Sequence, residues 1–129
     1  MSTQAKPNNV LVVDDSATMR RMVITSLRSL INIKLTEAAS GLEAIERLAL
    51  EQIDLMILDL NMPDMHGMEV IEFVRSHRAY QDIPIVVLTT KGEEESRARA
   101  LASGANQYLT KPFLPQELAK IAGSLLSAN

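Results

Sequence analysis

Three carboxylates, a pair of hydroxyls and one ammonium stand where apolar runs of this chain end. Val10-Leu11-Val12-Val13 runs into Asp14-Asp15, and Leu55-Met56-Ile57-Leu58 into Asp59. Pro84-Ile85-Val86-Val87-Leu88 ends in Thr89-Thr90, and Gln107-Tyr108-Leu109-Thr110 in Lys111. An aspartate where a buried strand leaves the core is costly unless something needs it there. Carboxylates brought together repel, and the remedies are a raised pKa or a bound cation. An all-oxygen set with no His or Cys beside it suits a hard cation, Mg2+ above all. Magnesium keeps waters and usually shares a phosphate, which points to phosphoryl chemistry. Lys111 can neutralise phosphoryl oxygens, Thr89 can donate to one, and backbone N–H groups of nearby turns can take the others. A carboxylate can also be the nucleophile and become an aspartyl phosphate. The residues alone leave open which of the three that is.

The elements that must position these groups follow from periodicity. Runs of four or five apolar residues bounded by turn formers read as strands buried on both faces. After Asp15, Ser16 or Thr18 can cap a helix whose stripe is Met19, Met22, Val23, Leu27 and Leu30. Ile33 and Leu35 alternate with Lys34 and Thr36, a strand with one well-buried face. Ser40-Gly41-Leu42-Glu43 has capping-box spacing, and Leu42, Ile45, Leu48 and Ala49 form the stripe of the helix behind it. Val70, Ile71 and Val74 mark a third helix after Asp59, fading near His77. A fourth is expected from about Glu93 to Ser103, with Ala98, Leu101 and Ala102 inward and Gly104 at its C-cap. A fifth starts near Pro115, with Leu118, Ile121, Ala122 and Leu125 on its core face.

Strand and helix alternate five times, which implies a parallel sheet with helices on both faces and right-handed crossovers. The first, third and fourth strands are continuously apolar and belong in the middle; the second and fifth are weaker and belong at the edges. The order 2-1-3-4-5 satisfies this. Ligands of an open parallel sheet sit beyond the strands' carboxyl ends, where strand order reverses. Here that point lies between the strands ending in Asp14-Asp15 and Asp59, beside Thr89, Thr90 and Lys111.

The remaining numbers bound the function. With 129 residues, 47% hydrophobic and 22% charged, one domain is expected, at residues 9–127 after a loose lead-in at 1–8. No Cys is present, so neither disulfides nor thiolate metal sites can form. Thirteen Lys and Arg against 16 Asp and Glu, a net charge of -3, disfavour a nucleic-acid binder. No run approaches the roughly 20 apolar residues of a membrane span, and the N-terminus is not a signal peptide. The expectation is a cytoplasmic monomer.

The chain resembles a response-regulator receiver domain, the phosphorylatable module of two-component signalling. The likeness covers about Val10 to Leu126. It rests on Val-Val-Asp-Asp-Ser at 12–16, Leu-Asp-Leu-Asn-Met-Pro-Asp-Met-His-Gly at 58–67, Leu-Thr-Thr at 88–90 and Lys-Pro-Phe at 111–113. Each motif is weak alone; all four in order at the right strand ends are very specific. The stretch from Asp14 to Arg21 is similar to chemotaxis regulators within that family.

The resemblance implies a flavodoxin-like (βα)5 three-layer sandwich. It makes Asp59 the acceptor of a phosphoryl group from a phosphohistidine on a sensor histidine kinase or phosphotransfer protein. Asp15, Asp59 and the Asn61 carbonyl would ligate Mg2+, with Asp14 acting mainly through water. Thr89 would bond the phosphoryl group and move toward it, Lys111 would pair with it, and Lys111-Pro112 would be cis. Tyr108 would be the switch aromatic, and the fourth helix, fifth strand and fifth helix would form the output surface. Asn61, Thr90 and Lys91 fall where the family tunes the lifetime of the phosphorylated state. Thr90 departs from the small residue usual there, and by its size would narrow access to Asp59. With no further domain following Leu126, the expected output is a protein contact. A flagellar motor switch, a chemotaxis kinase or a phosphotransfer relay are the candidates, with a phosphate sink as an alternative.

Blander readings exist for each part. Asp14-Asp15 can be turn and cap residues, Thr89-Thr90 a strand end, Lys111-Pro112 an ordinary loop. Met62, Met65 and Met68 read as packing, and His66 and His77 as surface residues. Glu93-Glu94-Glu95 suits the positive end of a helix. Rival functions are an FMN-binding electron carrier, a phosphoaspartate hydrolase of small molecules, and a docking-only receiver. The first is disfavoured because Asp14-Asp15 would repel the cofactor's phosphate. The second lacks Asp-x-Asp after the first strand and a cap domain. The third is disfavoured by the retention of Asp14, Asp15, Asp59, Thr89 and Lys111.

Overall fold

The computed structural model describes residues 6–62, 66–90 and 94–127. Strands and helices alternate as β1 (Asn8–Val13), α1 (Ala17–Leu27), β2 (Ile33–Ala38), α2 (Gly41–Leu50) and β3 (Leu55–Asp59). They continue as α3 (Gly67–Ser76), β4 (Ile85–Thr90), α4 (Glu94–Ser103), β5 (Gln107–Lys111) and α5 (Pro115–Ser127). The strands form one parallel sheet of order β2-β1-β3-β4-β5. The order expected from strand hydrophobicity is therefore the observed one. β1 begins at Asn8, one residue inside the expected lead-in.

Alternate residues of the central strands feed two cores, one on each face of the sheet. Val10, Val12, Leu55, Ile57, Val86 and Leu88 pack with Val23 and Leu27 of α1 and with Leu118 and Ala122 of α5. Leu11, Val13, Met56, Leu58, Ile85 and Val87 pack with Ala44 and Leu48 of α2, Val70, Ile71 and Val74 of α3, and Ala100 of α4. Burial on both faces is why β1, β3 and β4 are continuously apolar. The side chains from Val10 to Val13 and from Leu55 to Leu58 are each at most 1% exposed.

Several helix faces differ from the sequence expectation. On α2 the buried residues are Gly41, Ala44 and Leu48, while Leu42 and Ala49 face solvent. Ser40 Oγ accepts from Glu43 N at 3.1 Å and Glu43 Oε1 accepts from Ala39 N at 3.1 Å, which fixes the helix start. From that start Gly41, Ala44 and Leu48 fall on the buried face. On α4 only Ala100 is buried; Ala98, Leu101 and Ala102 are exposed. Three small residues and one Leu present no distinct apolar stripe, so sheet contact decides the phase. Met22 of α1 is likewise exposed. In β2 the more buried positions are Thr36 and Ala38, not Ile33 and Leu35. Thr36 tolerates burial because its hydroxyl donates to Asn9 Oδ1 at 2.8 Å and Glu51 Oε1 at 3.2 Å.

The α1 cap is Ser16, whose Oγ accepts from Met19 N at 3.2 Å. Gly104 ends α4 at φ 121°, the left-handed region that favours glycine. Arg75 of α3 donates to the Gly104 carbonyl through Nε at 3.0 Å and Nη2 at 2.8 Å, and to the Ile83 carbonyl at 2.7 Å. One guanidinium thus ties α3 to the end of α4 and the approach to β4.

Candidate functional site

The carboxyl ends of β1 and β3 stand side by side, paired from Val10↔Leu55 to Val13↔Leu58. Just beyond that last pair the chain turns, and Asp14, Asp15 and Asp59 each offer a carboxylate oxygen within 4.8 Å of the others. Asp14 and Asp59 are buried, 1% and 4% exposed, and Asp15 faces solvent. The Asp14 Oδ1 atom accepts from Ser16 N at 2.9 Å, an interaction that turns the chain into α1. Asp59 Oδ1 accepts from Asn61 N at 3.3 Å.

Lys111, ending β5, reaches back over the site. Its Nζ lies 3.2 Å from Asp59 Oδ1 and 3.5 Å from Asp14 Oδ2. The Lys111-Pro112 peptide is cis, as the resemblance implies. Burial pushes the Asp59 carboxyl above the ordinary aspartate range; Lys111 opposes this, and the Asp14 charge reinforces it. Three carboxylates against one ammonium leave two negative charges, the charge of one divalent cation.

Among the described residues two buried side-chain oxygens lack a hydrogen bond: Thr89 Oγ1, and Asp14 Oδ2, which the Lys111 ammonium approaches to 3.5 Å. Buried polar atoms left unpaired are uncommon and call for an explanation. Thr89 is fully buried at the end of β4, and the next residue, Thr90, is exposed and stands opposite Lys111 in register. The donor set fits a hard cation: carboxylate oxygens only, one of them exposed and open to water.

The loop after β3 folds back tightly on the strand it leaves. Gly67 N donates to the Leu60 carbonyl at 3.1 Å. A Cβ at Gly67 would stand 2.6 Å from Leu60 Cα and 2.9 Å from the Asp59 carbonyl oxygen, so no side chain fits there. His66, expected only as a surface residue, caps α3: its Nδ1 accepts from Met68 N at 3.3 Å and its N–H donates to Glu69 at 3.3 Å. Met62 and Met68 are buried packing residues. Pro63, Met65, Lys91 and Glu93 lie outside the described residues.

Tyr108 of β5 is half-buried beneath a cation. The Arg97 guanidinium of α4 sits 4.4 Å from the ring centroid and pairs with Glu94 at 3.0 Å. Arg20 of α1 is a second cation that sequence reasoning passed over. It donates through Nη1 to the Asp14 carbonyl at 2.6 Å and through Nε to Glu37 at 2.9 Å. The Glu37 contact joins residues 17 apart that the sheet brings together, and the Asp14 contact reaches back six residues across the turn from β1 into α1, a spacing that no helix or strand period marks.

Comparison with known proteins agrees with this geometry. The family model for the response regulator receiver domain matches residues 10–122. The chain is 43% identical over 110 residues to a chemotaxis protein CheY homolog of Campylobacter jejuni, covering 84% of this chain and 85% of that protein. It is 40% identical over 121 residues to chemotaxis protein CheY1 of Helicobacter pylori, covering 93% and 98%. Among solved structures, the chemotaxis response regulator CheY4 of Vibrio cholerae matches with a TM-score of 0.84 at 36% identity, over 93% of this chain and 99% of that one.

Proposed function

Because the chain belongs to the response regulator receiver family, we propose that it is a phosphorylation-driven switch whose acceptor is Asp59. The observation that carries this reading is the Asp14–Asp15–Asp59 cluster bridged by Lys111, with the buried Thr89 Oγ1 left without a hydrogen-bond partner among the described residues. The domain spans residues 9–127.

Asp59 attacks the phosphorus of a phosphohistidine on a sensor histidine kinase or phosphotransfer protein. An O–P bond forms, the N–P bond breaks, and the imidazole, already protonated on its other ring nitrogen, takes the N–P electron pair and leaves as the neutral ring. Lys111 and the Asn61 amide both hold Oδ1, which makes Oδ2 the freer oxygen and the nucleophile. Asp15, Asp59 and the Asn61 carbonyl would hold Mg2+, with Asp14 acting mainly through water, and the bound cation would supply charge neutralisation for the phosphoryl oxygens. Lys111 neutralises a further oxygen. The Thr89 hydroxyl donates to the phosphoryl group, so its unpaired state in the resting protein becomes a driving force. A new charge-assisted hydrogen bond of about 1.5–3 kcal/mol can bias a two-state element by roughly ten- to a hundredfold. Asn61, Thr90 and Lys91 are the positions that set the lifetime of the phosphorylated state.

Movement of Thr89 passes to Tyr108 on the neighbouring strand and changes the α4–β5–α5 face for a protein partner. The chemotaxis names of the relatives favour an output in chemotaxis, with the flagellar motor switch as one candidate partner. The protein then acts as a signalling switch that assists its own phosphorylation and dephosphorylation, and works as a cytoplasmic monomer. Among the described residues no helix is long and apolar enough to cross a membrane.

Incubation with acetyl phosphate should add one phosphoryl group by mass, only with Mg2+. No gain under any Mg2+ concentration would favour a docking-only role. Thr89→Val, nearly isosteric, should keep or slightly raise thermal stability, by up to about 1 kcal/mol, because the lost hydroxyl has no partner to lose. The same variant should be phosphorylated but fail to shift the resonances of β5. A thermal melt beside a two-dimensional amide spectrum checks both; a large destabilisation would contradict the unpaired hydroxyl. Arg97→Ala removes the cation over the Tyr108 ring. It should broaden or shift the Tyr108 ring resonances without phosphorylation, at a stability cost of about 0.5–1 kcal/mol.

A further inference from the structure

We infer that Arg20 is a positioning residue for the cation site, holding the Asp14–Asp15 peptide so that the Asp15 carboxylate points at it. The inference rests on the Mg2+ reading of the site. Asp14 is fixed from three directions. Its N–H donates to the Ala38 carbonyl of β2 at 3.1 Å, its Oδ1 accepts from Ser16 N at 2.9 Å, and its carbonyl accepts from Arg20 Nη1 at 2.6 Å. Asp15 is different. It is exposed, and among the described residues none bonds its carboxylate. Its direction comes from the backbone that leads into it.

The Asp14 carbonyl and the Asp15 N–H belong to one planar peptide unit. Gripping the carbonyl oxygen therefore fixes the plane from which the Asp15 Cα and side chain depart. Arg20 suits this task because it is itself anchored. Its side chain is 15% exposed, and its Nε is held by Glu37 at 2.9 Å. Glu37 lies in β2 opposite Val12 of β1. The guanidinium thus spans α1, the turn after β1 and the edge strand. A planar fork can serve a carbonyl and a carboxylate together, which a single ammonium at the end of a flexible stem does less well.

The sign of the effect separates this role from simple electrostatics. A cation next to an acidic site lowers its affinity for Mg2+, so by charge alone Arg20→Ala should tighten binding. Positioning predicts the opposite, because loss of a residue that orients a ligand typically weakens metal affinity about 10–100-fold. Arg20→Lys keeps the charge and removes the fork, so it isolates geometry.

The test is an Mg2+ titration of the full chain and of both variants by calorimetry, alongside thermal melts. The expected result is an Mg2+ Kd raised about tenfold in Arg20→Ala and severalfold in Arg20→Lys. Acetyl phosphate labelling should be slow in both at low Mg2+ and should recover at saturating Mg2+, since Asp59, Thr89 and Lys111 are untouched. If Arg20→Ala does not fold, Arg20→Lys decides alone. Unchanged or tighter Mg2+ binding in the folded variants, with normal binding by the unsubstituted protein, overturns the positioning role and leaves the metal site standing. Absence of Mg2+ binding in the unsubstituted protein overturns both.

Discussion

Replacing Asp59 with Asn should abolish phosphorylation and at the same time make the resting protein more stable. The carboxylate is 4% exposed, and burial raises its pKa, helped by the Asp14 charge and opposed by Lys111. A carboxyl whose pKa is raised on folding favours the folded state fully below its ordinary value, and that contribution is lost as pH rises through the folded value. At neutral pH the ionised Asp59 is therefore a liability that Asn removes. The melting temperature of Asp59→Asn should exceed that of the unsubstituted protein by a few degrees in Mg2+-free buffer. The gap should widen from acidic toward neutral pH and narrow when Mg2+ is added, because the cation stabilises the ionised site. Mass spectrometry after acetyl phosphate treatment should show no added group. A variant less stable at neutral pH without Mg2+ would contradict the charge argument, and continued labelling would move the acceptor elsewhere.

Lys111→Ala has the second largest expected effect, with the opposite sign. Its ammonium is the shared partner of Asp14 and Asp59, at 3.5 Å and 3.2 Å. Removing one member of a fully buried pair costs roughly 3–5 kcal/mol, chiefly through the charge left behind. Lys111 keeps 17% exposure, so a loss of about 2 kcal/mol is the scaled expectation. Divalent cation can take over part of the lost neutralisation. The deficit measured by urea unfolding should therefore shrink when Mg2+ is saturating, while phosphoryl transfer stays slow because a phosphoryl oxygen has lost its partner. A deficit that ignores Mg2+ would mean that Lys111 acts through packing.

The two variants together probe a single balance that the primary structure encodes unevenly. Asp14, Asp15, Asp59, Thr89 and Lys111 were legible because each ends an apolar run, and parallel topology brings strand ends to one edge. The strand order was legible for a related reason: burial on both faces demands continuous apolar sequence, and only β1, β3 and β4 have it. Helix faces were less legible. Leu42, Ala49, Ala98, Leu101 and Ala102 were expected inward and are exposed. In α2 and α4 the buried positions include Gly41, Ala44 and Ala100, whose small size carries little periodic signal. The sheet can be approached most closely where side chains are smallest, and that choice is made by packing.

The polar contacts of two arginines were not legible in the sequence. Arg20 meets the Asp14 carbonyl and Glu37, and Arg97 covers Tyr108. A charged residue on a helix reads as a solvated face until a neighbouring element arrives. Gly67 is a middle case: it closes the motif that follows Asp59, but only the 2.6 Å approach to Leu60 Cα explains why no side chain is tolerated. By itself, then, the order of residues determined the alternation of strands and helices, the central strands and the acidic edge, because these depend on burial and on strand direction. Tertiary structure alone decided that Lys111 bridges two particular carboxylates, that Thr89 Oγ1 has no hydrogen-bond partner among the described residues, and that Arg20 grips the Asp14 carbonyl. Those are distances of a few ångströms that neither composition nor periodicity encodes, and only the packed sheet and helices set them.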